Sequence, residues 1–85
     1  MLIDITSTET GFIFKCTDRT LDARCDYDFD AFVSSCKYEL QRHCKQEGVK
    51  VQIGYEHREF HYRDYPKKNE AVVEFDCVKK EGIYG

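Results

Sequence analysis

One stretch of this sequence, Asp28 to Gly48, admits a single reading, and it limits what the rest of the chain can fold around. Phe29, Phe32, Val33, Cys36, Leu40, His43 and Cys44 recur at three- and four-residue spacing, which gathers them into one arc of about 120° on a helix. Both ends carry signals. Asp28 is placed to accept a hydrogen bond from the free N–H groups of the first turn, with Tyr27 before it as a staple onto Phe32. Gly48 suits the left-handed residue that closes a helix, with Val49 folding back as its apolar contact. Such a helix needs an apolar surface to lie on.

The flanking sequence supplies that surface as strands. Ile3 and Ile5, then Phe12, Phe14 and Cys16, then Leu21, Ala23, Cys25 and Tyr27 alternate with polar residues, the pattern of three half-buried strands. A turn at Asp18-Arg19 would set Cys16 opposite Leu21, Phe14 opposite Ala23 and Phe12 opposite Cys25, with Lys15 meeting Asp22 on the other face. A turn over Ser7 to Thr10 would set Ile5 opposite Phe12 and Ile3 opposite Phe14. Asp-Arg is not a favoured tight-turn pair, so the second turn is the weaker link.

After the helix, Val49, Val51, Ile53 and Tyr55 give a fourth strand, and residues 71–78 a fifth, separated by a turn signal at Pro66-Lys67-Lys68-Asn69. Counting back from that turn pairs Tyr62 with Val73 and Phe60 with Phe75, which puts Val51 and Ile53 out of phase with Phe60 and Tyr62. A bulge near Gly54 would restore the phase; otherwise residues 56–69 form a long tip or loop. The expected order is β-β-β-α-β-β, an α+β fold in which an antiparallel sheet carries one amphipathic helix on one face. That helix should cover Ile3, Ile5, Phe14, Leu21, Val51 and Val73.

Length and charge narrow the function classes. Eighty-five residues suffice for one core and not for two, so residues 1–85 should form a single domain, with 79–85 as a frayed tail. The N-terminal MLIDITSTE has no basic start and no long apolar run, so the expectation is no secretion signal, no membrane span and a cytoplasmic location. Five scattered cysteines without a C-x-x-C pair are then expected to be reduced core residues rather than a disulfide framework. The net charge of -3 conceals an asymmetry, since residues 18–30 carry five Asp against two Arg and residues 37–68 carry eight Lys and Arg against five acids.

Little here is built for catalysis. The glycines are too dispersed for a phosphate-binding loop, and Asp26-Tyr27-Asp28-Phe29-Asp30 fails as a calcium loop because Ala31 stands where glycine is needed and Lys37 where glutamate is needed. A cysteine and histidine such as Cys77 and His57 brought together by the hairpin would be the best nucleophilic pair, but no local signature supports one. The expectation is a protein that is not an enzyme and holds no cofactor.

Three binding readings remain. Extended chain over 57–61 would project His57, Glu59 and His61 from one face with Glu74 and Asp76 beside them, a candidate metal site of undiagnostic spacing. Basic residues interleave with Tyr38, Tyr55, Phe60, Tyr62 and Tyr65, as single-stranded nucleic acid requires, although the acidic pI argues against that use. The preferred reading is a small binding module that docks onto a protein partner, of accessory or inhibitory type. It would use Tyr38, Arg42 and Lys45 on the outer helix face, and Phe60, Tyr62, Arg63, Tyr65 and Lys67 at the hairpin, because aromatic and Arg side chains anchor interfaces. A homodimer through an unpaired edge strand is also open to such a sheet.

Overall fold

The computed structural model describes residues 1–20, 28–64 and 67–80. Their elements are β1 (Leu2–Ser7), β2 (Gly11–Thr20), α1 (Phe29–Glu47), β3 (Val51–Asp64) and β4 (Lys67–Lys79). The strands are antiparallel throughout and lie in the order β1-β2-β4-β3. This is the α+β architecture that the sequence implies, with a single helix among the described residues lying on one face of the sheet.

The helix forms where its pattern places it. Asp28 caps it, its Oδ1 accepting from the Ala31 N–H at 3.1 Å, while Gly48 takes φ 68° and ψ 31° and donates to the carbonyls of Cys44 and Lys45. Val49 N–H follows by donating to the Cys44 carbonyl at 3.0 Å, so the carbonyls left over at the helix end find partners. Phe32, Val33, Cys36 and Leu40 are buried against Phe12, Phe14, Cys16, Ala71, Val73, Phe75 and Cys77, and Phe29, Cys44 and Val51 pack at the margin of this core. His43 is half-buried at its border, its ring edge-on to Phe12 at 5.5 Å. Tyr27, the expected staple, lies outside the described residues.

The strands differ more from expectation. Asp18 and Arg19 do not turn: they continue β2, opposite Ala71 and Glu70, and Arg19 Nε donates to Glu70 Oε2 at 2.8 Å. Both edges of β2 are occupied, one by β1 and the other by β4. The pairings of Cys16, Phe14 and Phe12 with Leu21, Ala23 and Cys25 give way to Cys16 opposite Val73, Phe14 opposite Phe75 and Phe12 opposite Cys77. The run from Ala71 to Cys77 matches β2 as well in pattern, and it needs no tight turn of Asp-Arg. The strand expected over 21–27 lies outside the described residues.

Between β1 and β2 the register is two residues from the expected one, with Ile5 opposite Phe14 and Ile3 opposite Cys16. The turn spans Thr8 to Gly11 and so is centred one residue later than a turn over Ser7 to Thr10. Thr8 N–H donates to the Gly11 carbonyl at 2.9 Å, and Gly11 N–H donates to Thr8 Oγ1 at 3.1 Å. A Cβ on Gly11 would stand 2.0 Å from the Cys77 carbonyl oxygen, so only glycine lets β4 approach this turn.

Residues 56–69 form a hairpin, not a loop. Asp64 stands opposite Lys67, so Lys67, Lys68 and Asn69 belong to β4 and do not turn; residues 65–66 lie outside the described residues. Phe60 consequently stands opposite Ala71 and Tyr62 opposite Asn69. The expected phase break is present: the register shifts between Ile53 and Tyr55, leaving Gly54 as the extra residue of a bulge. Lys79 and Lys80 are tied in, their N–H groups donating to the Thr10 and Lys50 carbonyls at 2.9 Å each, so the chain stays anchored two residues into the expected tail.

A helix about 10 Å wide covers roughly two strands spaced at about 4.8 Å. In this sheet those are the central pair, β2 and β4. Phe14 and Val73 are covered as expected, but Ile3 and Ile5, on the same face of the outer strand β1, remain 40% and 44% exposed. Among the described residues no helix is long and apolar enough to cross a membrane.

Candidate binding surfaces

The outer face of α1 follows directly from its inner one. Tyr38 lies on the side opposite Cys36 and Leu40 and is 61% exposed, with Arg42 and Lys45 exposed on the same side. Arg42 is not a bare cation, because its Nη1 lies 3.4 Å from Glu39 Oε1 one turn away.

The second surface lies where the start of the helix meets β3. Phe60 shares the helix face of the sheet, its ring edge-on to Phe29 at 6.1 Å, yet it stays 43% exposed because the covering helix begins there. Arg58 stands beside it with its guanidinium 6.0 Å from the Phe29 ring centre, its Nε 2.6 Å from Glu56 Oε2 and its Nη1 3.6 Å from Asp30. Lys37 completes the row, its Nζ 3.7 Å from Glu56 Oε1. This junction of helix and strand went unread in the sequence. Only the register of β3 against β4 turns Arg58 and Glu56 toward the helix, and that register depends on the bulge. Tyr62 and Arg63 follow Phe60 along β3 and Lys67 begins β4, whereas Tyr65 lies outside the described residues.

On the opposite face of the sheet, His57, Glu59 and His61 do come together. Their Nε2 atoms lie 3.0 Å and 3.3 Å from the two oxygens of Glu59, and these contacts with His57 and then His61 hold the Glu59 carboxyl below its ordinary value. Of the two acids expected beside them, Glu74 does stand opposite His57, whereas Asp76 stands opposite Tyr55 and Glu59 faces Val72 instead. The like-charge pair that a cation would relieve is therefore absent. Among the described residues no group of three or more His, Cys, Asp and Glu side chains is placed to hold a metal ion.

None of the four cysteines among the described residues is exposed. Cys16, Cys36 and Cys77 are fully buried and, with half-buried Cys44, free. Burial pushes the Cys77 thiol up to about 11, and Cys36 is held above the ordinary thiol range first by its hydrogen bond with Cys16 and then by burial. Cys77 and His57 cannot pair, because Cys77 lies on the helix face and His57, opposite Glu74, on the other. Comparisons of the chain with protein-family models, with curated proteins and with solved structures give no match.

Proposed function

We propose that this chain is a small cytoplasmic binding module without a catalytic step, docking onto a protein partner as an accessory or inhibitory subunit. The observation that carries the reading is the exposure of Tyr38 on the outward face of α1, next to Arg42 and Lys45. A rigid aromatic ring held out on a capped helix loses little entropy on contact, which is why such residues anchor interfaces. Phe60, looking out from the same side of the sheet beside Arg58, extends the reading to the hairpin. Buried free thiols fit a reducing compartment.

The ion pairs favour a protein over nucleic acid. Lys37, Arg42 and Arg58 each have a carboxylate within 4.0 Å, so the cations that would track a phosphate backbone are already partly neutralised on the protein's own surface. With a net charge of -3, little field remains to draw a polyanion.

The test pairs the wild-type chain with the double variant Tyr38→Ala and Arg42→Ala as baits in cell extract, followed by an affinity measurement on any protein retained. Both side chains are exposed, so the variant should keep wild-type stability and lose that partner's binding. Undiminished binding by the variant would overturn the helix-face assignment. Salt-sensitive amide shifts at Tyr38, Arg42 and Lys45 with short oligonucleotides, and no retained protein, would give the face to nucleic acid instead.

A further inference from the structure

β1 is an edge strand of unusual character: every one of its residues is exposed, yet it reads Leu2-Ile3-Asp4-Ile5-Thr6-Ser7 with a single charge. The other edge, β3, is defended as natural sheet edges usually are. It carries a bulge at Gly54 and a run of charged and polar side chains from Glu56 to Glu59, followed by His61. β1 has no bulge, no proline and no basic residue. Each chain thus presents one pairable edge.

The hydrogen-bond phase of that edge can be read off the turn. Thr8 N–H donates to the Gly11 carbonyl, and on the far side of β2 Lys79 N–H donates to the Thr10 carbonyl. Since bonded pairs alternate along an antiparallel ladder, Leu2, Asp4 and Thr6 direct their backbone groups to β2. Ile3, Ile5 and Ser7 direct theirs outward. The same odd-numbered residues carry their side chains on the helix face, where Ile3 and Ile5 adjoin Cys16 and Phe14 and are left 40% and 44% exposed by the narrow helix.

We infer that β1 pairs antiparallel with β1 of a second copy about a two-fold axis through Ile5, joining two sheets into one. In this register Ile5 exchanges backbone hydrogen bonds with its own counterpart and Ile3 exchanges them with Ser7 of the second copy, so every outward-facing group of the strand is used. The exposed isoleucines of the two copies close the uncovered strip between their helices. Charge selects the register. An axis through Asp4 would set that carboxylate directly against itself, which is unfavourable at cross-strand distance, whereas the axis through Ile5 sets it against Thr6. Because β3, the other edge of the sheet among the described residues, is blocked, the pairing closes at two copies and does not propagate into a fibre.

Amide hydrogen exchange with sedimentation on the intact chain tests this. In the dimer the amides of Ile3, Ile5 and Ser7 are protected together with those of Asp4 and Thr6, the protection of the odd set rises with protein concentration, and the mass doubles from 10.1 kDa. Ile5→Lys, which sets like charges on the axis at an exposed position, should restore the monomer and the fast exchange of the odd set. Asp4→Asn should leave association unchanged. Alternating protection with a monomer mass at millimolar concentration would overturn the proposal without recourse to any variant. Tighter association of Asp4→Asn would overturn the register, and masses beyond two copies would overturn the closed pair.

Discussion

Glu59 stands between two imidazoles on an exposed strand face, and its ionisation follows from that position alone. Contacts with His57 at 3.0 Å and His61 at 3.3 Å favour the carboxylate, so its pKa lies below the ordinary 4.5. A folded-state pKa below the unfolded one means that the ionised form stabilises the fold above the unfolded value. That contribution fades as pH falls through the lower folded value. Carboxyl NMR shifts of Glu59 followed from neutral to acid pH should give a midpoint under 4.5, and His57→Gln with His61→Gln should bring it back up. A wild-type midpoint at or above the ordinary value would show that the imidazoles do not hold Glu59 in solution. Full exposure to solvent keeps the effect on stability small.

The helix is the element on which the fold depends most, because it alone covers the inner face of the sheet among the described residues. Phe32 and Leu40 are 6% and 4% exposed within the core, so truncating either to alanine leaves a cavity beneath α1 and should cost about 2 to 5 kcal/mol. Urea unfolding at constant m-value measures this loss; a shift under about 1 kcal/mol would mean that α1 is not seated on the sheet. Elements whose order is set locally were legible in advance. Asp28 and Gly48 mark the helix ends by backbone chemistry within a few residues, and Gly54 betrays the bulge because Val51 and Phe60 cannot otherwise share a face. What escaped was decided at a distance. Asp18-Arg19 reads as a turn only while the partner of β2 is unknown, and once Ala71 and Glu70 stand opposite them the same residues are strand. Ile3 and Ile5 read as core because alternation reports which face a side chain takes and says nothing of whether a neighbour covers it. The surface formed by Arg58, Glu56 and Phe60 was hidden for the same reason, since its facing depends on the register of β3 against β4 and on the bulge together.

At the scale of the whole molecule, the dimensions set the order in which parts should open. The extents are 52 × 20 × 16 Å, and the long axis matches the 14 residues of β3 at about 3.4 Å each. The 19-residue helix reaches only about 28 Å. It begins beside Phe60 and ends before Val51, so the hairpin beyond Phe60 runs past the covering helix. In β4, Val73, Phe75 and Cys77 are fully buried between two strands and beneath α1. Among the described residues no helix lies above their neighbours toward the tip, Lys68 to Glu70, although Asn69 is itself buried. Amides from Val72 to Cys77 should therefore exchange only when the whole domain unfolds, with the denaturant dependence of global unfolding. Those of His61 to Asp64 and of Lys68 to Glu70 should exchange through a smaller opening that denaturant hardly promotes. Should both sets exchange at one rate with one denaturant slope, the hairpin tip and the helix-covered core would be a single cooperative unit, and burial beneath α1 would not be what divides them.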